Sequence, residues 1–150
     1  MTEPSFIMAS AGEQELLLEF MQEFYLLEHL TYNRTVAQRC LQELFRNPSL
    51  GQIYFIHIEE KPVSYIVIAF GFSLEFHGRD ALVDELYIRE HYRGKGIGTE
   101  TLEFVQNVCR QESIHALHLE VDRGNISAQQ LYRKSGFKDH DRYLLTKRLD

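Results

Sequence analysis

Residues 81–105 read ALVDELYIREHYRGKGIGTETLEFV, and three patterns succeed one another in them. Residues 82–88 are apolar apart from Asp84 and Glu85, with the length and residue types of a buried strand. Glycines then crowd the turn, at Gly94, Gly96 and Gly98. Beyond them the apolar period changes. Ile97, Thr101, Leu102, Val105, Val108 and Cys109 fall three or four apart, on one face of a helix. The stretch is therefore strand, glycine turn, helix.

That geometry makes an anion site. The first amides of a helix lack an intrahelical acceptor, and the helix dipole places partial positive charge there. Glycines bring the backbone close to a bulky phosphate and allow positive φ. Arg93 and Lys95 add full charges. The expected ligand carries phosphates, most simply a pyrophosphate; the competing reading is a plain glycine-rich turn. A P-loop, G-x-x-x-x-G-K-[ST], is absent, and the glycine spacing and late position do not fit a dinucleotide fingerprint.

Working outward toward the N-terminus, residues 6–9 are a short strand candidate. Ser10 and Glu13 have capping-box spacing, so a helix is expected to follow, with Leu16, Leu17, Phe20, Met21, Phe24 and Leu27 on its apolar face. Thr35 and Gln38 repeat that spacing before a second helix with Val36, Cys40, Leu41 and Leu44 as its stripe, ending at Asn47-Pro48. Residues 52–58 and 63–72 are strands joined by a turn at residues 59–62. With residues 82–88 they give three antiparallel strands before the glycine loop. Residues 114–121 form a strand separated from residues 82–88 by one helix, so that pair is expected to be parallel. Ser127 and Gln130 have capping spacing before a short helix stopped by Gly136. Residues 137–140 and 143–147 read as two closing strands.

The whole chain sets bounds. Its 150 residues, 44% of them hydrophobic, suit one domain with an adequate core. A net charge of -6 disfavours nucleic-acid binding and is compatible with a cationic substrate. Cys40 and Cys109 read as small core residues, and two such distant cysteines make neither a zinc site nor a disulfide framework. A reduced, cytoplasmic setting fits. The opening MTEPSFIMAS has no basic region before an apolar core, so no signal peptide is expected, and no apolar run approaches a membrane span.

Two segments carry a resemblance. Arg93-Gly94-Lys95-Gly96-Ile97-Gly98 resembles the acetyl-CoA signature [QR]-x-x-G-x-[GA] of the GNAT superfamily of N-acetyltransferases. Residues 125–137, NISAQQLYRKSGF, are similar to that family's N-x-x-A-x-x-L-Y-x-x-x-G-F. The resemblance runs from about residue 83 to 137, and the N-terminal third agrees only in its order of elements. It implies an α+β fold: a mostly antiparallel sheet flanked by helices, with a parallel strand pair forming the acyl-CoA cleft. It also implies acetyl-CoA as co-substrate. Backbone groups of Leu86, Tyr87 and Ile88 are expected to pair with the pantetheine arm like an added strand. The loop Arg93, Gly94, Lys95, Gly96, Ile97, Gly98 and Thr99 is expected to hold the pyrophosphate. Asn125 is expected near coenzyme A and also as a helix cap, and Tyr132 near the thioester sulfur. Members of the family often dimerise.

The chemistry narrows the rest. Acetyl transfer to an amine needs a neutral nitrogen, so a carboxylate is wanted as general base, and an acid assists the leaving thiolate. The resemblance gives Tyr132, which matches the family tyrosine near the sulfur, the acid role. Glu85 is first choice for base, read as sharing a face with Val83 and Tyr87 and facing an open cleft. Asp84 competes, because a bulge or one-residue slip exchanges the faces. Glu75, His77 and Asp80, with Asp84 and Glu85, are read either as an acidic acceptor pocket or as a solvated charge cluster. Glu28 and Tyr32 lie between the first two helices, a region that in the resembled family commonly closes over the acceptor, so the resemblance makes them candidate acceptor contacts; the other reading is ordinary loop residues. His115 and His118 lack metal-ligand spacing, so no metal is expected. The resemblance implies direct transfer, so Cys109 is expected to have no chemical role. The expectation is an acetyl-CoA-dependent N-acetyltransferase acting on a small cationic amine. Alternatives are a non-catalytic acyl-CoA sensor, or transfer to protein lysine or N-terminal amines.

Overall fold

Residues 51–73 alternate aromatic and β-branched side chains and fold back at Glu59-Glu60, and the sheet grows outward from that hairpin. The computed structural model describes residues 3–150; Met1 and Thr2, which open the segment read for a signal peptide, lie outside them. The chain divides into two compact parts, one through Glu120 and one from Val121 onward.

The first part holds β1 (Ser5–Met8), α1 (Gln14–Leu27), α2 (Arg34–Arg46), β2 (Gly51–Ile58), β3 (Lys61–Ser73), β4 (Gly78–Ile88), α3 (Ile97–Gln111) and β5 (Ala116–Leu119). Its strands lie in the order β1-β2-β3-β4-β5. All neighbours are antiparallel except β4 and β5, which are parallel as the intervening helix predicts. The β2–β3 turn needs positive φ at both central positions, and Glu59 and Glu60 supply it without glycine (φ 51° and 67°). Pro62, expected in the turn, instead stands just inside β3 opposite His57, where the ladder shifts by one residue. A bulge tolerates its missing donor.

Each sheet face buries a different set. On one, Phe20 of α1 meets the rings of Phe55, Tyr65 and Tyr87 edge-on at 5.6, 6.1 and 6.4 Å. Such edge-to-face contacts favour the aromatic quadrupoles. On the other, Phe104 of α3 stacks on Phe6 (4.3 Å) and meets Tyr54 (4.9 Å). The α3 stripe is buried as its period predicts: Ile97, Thr101, Leu102, Val105, Val108 and Cys109.

Helix details correct the sequence reading in three places. The N-cap of α2 is Asn33, which accepts from the Val36 amide at 3.1 Å, not Thr35. Asn serves as well as Thr in that position, and two candidates this close cannot be ranked by spacing. The buried residues of α2 are Ala37 and Leu41, while Cys40 and Val36 are exposed. In α1, Leu18 is buried and Leu27 exposed. Ser10 and Glu13 do cap the entry to α1, with the Ser10 amide donating to Glu13 Oε1 at 3.1 Å, although a short 3-10 turn (Ala11–Glu13) precedes the helix.

The second part contains α4 (Ile126–Lys134). Residues 137–140 and 143–147, expected as strands, belong to no ladder, and Tyr143, Leu144 and Leu145 are exposed. A period-2 pattern describes how a strand would present its side chains, but a strand exists only where a partner takes its hydrogen bonds. Among the described residues, no helix is long and apolar enough to cross a membrane.

Candidate active site

The β3–β4 ladder pairs Tyr65 with Tyr87 and Val67 with Glu85, then Ile68 with Val83. Asp84 is skipped. It is the extra residue of a β-bulge, and it resets the faces of β4. Glu85 and Tyr87 face α1; Val83, one bulge earlier, faces the opposite side. The expectation that Val83 and Glu85 share a face is therefore wrong, because residues two apart share a face only in a regular ladder.

The bulge also ends a pairing. The β4–β5 ladder runs from Asp80 opposite Ala116 to Val83 opposite Leu119 and stops there. β4 continues to Ile88 beyond β5, so Leu86, Tyr87 and Ile88 present an edge that β5 does not take up. Edges of this kind accept added strands.

Glu85 lies between two phenols. Tyr25 of α1 donates to its Oε2, and Tyr65 of β3 donates to its Oε1 at 2.8 Å. Burial raises the Glu85 carboxyl above the ordinary carboxylate range; the Tyr25 and Tyr65 hydrogen bonds work against that, and the neighbouring Asp84 charge adds to it. Asp84 is exposed as a residue, yet protein crowds its carboxyl, and the lost hydration raises it too. Both phenols are raised, first by burial and then by Glu85.

A second network fixes α1 over this strand. Glu23 accepts from the Tyr87 hydroxyl (3.0 Å) and from Arg89 Nε (3.1 Å) and Nη2 (2.8 Å). The Arg89 guanidinium sits 3.9 Å from the Phe20 ring centroid. Burial pushes the Glu23 carboxyl up, but the bonds from Arg89 and Tyr87 outweigh it and the net direction is down. Tyr32, a candidate acceptor contact, packs its ring 5.9 Å from Tyr25 and donates to the Leu18 carbonyl at 3.2 Å. It is thus one side chain removed from Glu85. Glu28 caps the end of α1 and is exposed.

The acidic pocket is not gathered as one group. Asp80 Oδ2 lies 3.2 Å from His118 Nε2, and His118 packs against Phe76 (4.7 Å). Asp80 stands four positions before Asp84 on β4, on the order of 13 Å along the strand. Glu75 and His77 are exposed in the β3–β4 turn. Among the described residues, no group of three or more His, Cys, Asp or Glu is placed to hold a metal ion.

The glycine loop leads into α3 as its spacing predicts. Gly94 and Gly96 have φ of 72° and 84°, and Gly96 is the N-cap. A Cβ at either would meet nothing within 4 Å, so glycine is favoured there by backbone conformation and not by crowding within the chain. The first α3 amide to bond back is that of Glu100, to Gly96 O at 3.1 Å. The amides of Ile97, Gly98 and Thr99 precede it at the positive end of the helix. Arg93 Nε donates to the Ile88 carbonyl (2.7 Å), which ties the loop back to β4. Lys95 Nζ lies 5.8 Å from the Tyr92 ring centroid. Replacing Gly96 by Ala should cost about 1–2 kcal/mol through the left-handed backbone alone, read as a fall in Tm with no change in the packed residues around it.

In the second part, Asn125 caps α4 as expected, accepting from the Ala128 amide at 3.2 Å. Ser127 lies inside the helix and is not its cap. The helix ends in a Schellman turn. The Phe137 amide donates to Tyr132 O and the Gly136 amide to Arg133 O, both at 3.1 Å, with Gly136 at φ 96°. The Tyr132 and Phe137 rings close the motif, 6.2 Å apart.

Comparison with known proteins agrees with this geometry. The Acetyltransferase (GNAT) family profile matches residues 14–137. Thialysine N-epsilon-acetyltransferase of Bos taurus is 31% identical over 143 residues, spanning 87% of this chain and 82% of the relative. An integron cassette protein from the mobile metagenome of Cole Harbour Salt Marsh superposes with a TM-score of 0.86 at 31% identity, covering 97% of this chain and 90% of that one. A predicted acetyltransferase from Clostridium acetobutylicum, solved with acetyl-CoA, superposes with a TM-score of 0.82 at 20% identity, covering 97% and 96%. The fold is that of the GNAT N-acetyltransferases. The chain belongs to the GNAT acetyltransferase family and is an acyltransferase.

Proposed function

We propose that the protein transfers the acetyl group of acetyl-CoA directly to the primary amine of a small cationic acceptor, with Glu85 as general base. The observation that carries this reading is the bulge at Asp84. It turns a half-buried carboxylate toward the α1 side at the point where the β4–β5 ladder ends.

The residues present fit acetyl-CoA. The edge at Leu86, Tyr87 and Ile88, which β5 leaves unpaired and where the Ile88 carbonyl accepts from Arg93, suits the amides of pantetheine. The amides of Ile97, Gly98 and Thr99, the positive-φ glycines Gly94 and Gly96, and the charges of Arg93 and Lys95 suit a pyrophosphate. Asn125 is assigned a coenzyme A contact on the strength of the sequence motif alone.

Glu85 takes a proton from the bound ammonium. The freed nitrogen lone pair attacks the thioester carbonyl, the new C–N bond forms as the C–S bond breaks, and Tyr132, assigned by the sequence motif alone, protonates the departing sulfur; the second proton that the nitrogen loses on becoming an amide replaces the one Tyr132 gave, and Glu85 returns its proton to solvent. Asp84 attracts the cationic acceptor electrostatically. Tyr32 and Glu28 line its approach. The name of the similar bovine enzyme, which specifies an N-epsilon amine, supports an alkyl amine acceptor.

The test is initial-rate acetylation of matched acceptors differing only in charge, such as a diamine, its mono-N-acetyl derivative and a neutral amino alcohol. The reading expects kcat/KM to fall by at least about tenfold when the second cation is removed, the loss of roughly 1.4 kcal/mol of attraction. Equal rates across the set, or a preference for basic peptides over all small amines, overturns the assignment of the acceptor.

A further inference from the structure

Glu85 is held more completely than a general base requires. A carboxylate has two oxygens, and here each already accepts a phenol hydrogen: Oε2 from Tyr25 and Oε1 from Tyr65. A phenol carries a single hydrogen to give. With both hydrogens directed at Glu85, the arrangement matches an ionised acceptor and leaves one lone pair free on each carboxyl oxygen.

The two phenols arrive from different layers. Tyr65 is fully buried in the sheet, fixed by the rings of Phe20 and Phe24. Tyr25 is half-buried on α1, wedged between Phe24 (5.8 Å) and Tyr32 (5.9 Å). The Glu23–Arg89–Tyr87 network fastens the same turn of α1 to β4, two positions along each element. The position of Tyr25 is therefore built and not incidental.

We propose that Tyr25 and Tyr65 are positioning residues for acetyl transfer: their phenols hold Glu85 as an oriented carboxylate and leave only its outward lone pairs to receive the acceptor's proton. The proposal rests on the reading of Glu85 as base. The charged and titratable groups around Glu85 are Tyr25 from α1, Tyr65 from β3 and Asp84 beside it on β4, while Cys40 of α2 acts on Tyr25. Of these, the two phenols are the ones that favour the charged form.

The sign follows directly. Removing a hydrogen-bond donor from a carboxylate disfavours its ionised form and raises its pKa. In Tyr25→Phe the acid limb of the kcat/KM profile should move to higher pH by about one unit, the size of one hydrogen bond to a charged group. Tyr65→Phe should act in the same direction. Tyr25 is the safer site, since Tyr65 lies in the packed core.

The experiment combines two readouts. Carbon NMR of glutamate-labelled free enzyme titrates the Glu85 carboxyl, assigned by its disappearance in Glu85→Gln. The kcat/KM profile is measured on the same variants, with Tm and acetyl-CoA binding confirming that each is folded. An upward move of the Glu85 resonance in Tyr25→Phe, matched by the acid limb, supports the proposal. A Glu85 titration unmoved in both Tyr variants overturns it, even if Glu85→Gln is inactive and the base reading stands. A Glu85 titration that moves while the acid limb does not shows a phenol clamp without a catalytic role and overturns the proposal through the base reading instead.

Discussion

Replacing Glu85 by Gln should lower kcat/KM for an alkyl amine by about 10³-fold near pH 7.4. The magnitude comes from the acceptor. An alkyl ammonium with a pKa of about 10.4 is roughly one part in a thousand free base at that pH. Without a base to take the proton, only that fraction reacts. The figure lies within the range of about 10²–10⁴ observed for general acid–base catalysis. The variant also has a signature in pH. Its rate should climb close to tenfold per unit as free amine accumulates, so the gap to the wild type narrows in alkaline solution. Gln keeps the size of the side chain and can still accept from one phenol through its carbonyl, but it leaves the other phenol facing an NH₂ group. A Tm within a few degrees of wild type would separate the chemical loss from unfolding. A Glu85→Gln enzyme with wild-type turnover at neutral pH assigns the base elsewhere, with the exposed Asp84 next in line.

The second large effect is expected at Tyr132. Tyr132→Phe should reduce kcat by about 10²-fold, toward the lower end of the general-acid range. A thiol with a pKa of about 8.5 leaves tolerably well as its anion, so the acid has less to supply than the base does. Acetyl-CoA affinity should change little. The structure adds a competing account of this residue. Its carbonyl and ring complete the Schellman turn that ends α4, with Phe137 as partner. Phe at position 132 keeps the ring contact and the backbone bonds, so it isolates the hydroxyl. Unchanged kcat would leave Tyr132 a helix-terminating residue and nothing more.

The two motifs were legible for different reasons. The glycine loop is local: the strand, the positive-φ glycines and the α3 stripe follow from residues within thirty positions, and all stand where the spacing put them. The 125–137 segment is local too, because its Asn cap and Gly stop set the ends of α4. What could not be read depends on partners distant in the chain. Glu85 was singled out as a charge in an apolar strand. The bulge that aims it, however, depends on how β4 registers against β3. No sequence pattern singles out Tyr25 or Tyr65, and only the fold brings them to Glu85, sixty and twenty residues away in sequence. Glu23 and Arg89 escaped notice likewise, since a salt bridge across sixty-six positions has no sequence period. The acidic residues, which proximity in sequence allows to be a pocket or a solvated cluster, show the opposite limit. Sequence proximity suggested a pocket, but four positions along a strand separate Asp80 from Asp84, and Asp80 has His118 as its neighbour.

The measurement that bears most directly on the central claim is acceptor-dependent release of free coenzyme A thiol from acetyl-CoA by the wild-type protein. It is run across small diamines, amino alcohols and basic peptides, beside a binding titration of acetyl-CoA. The account predicts saturable acetyl-CoA binding, and one acetylated amine formed per thiol released, fastest with a small dicationic acceptor. Saturable binding with no acceptor-dependent thiol from any amine or peptide would contradict it and leave a protein that binds the thioester without using it.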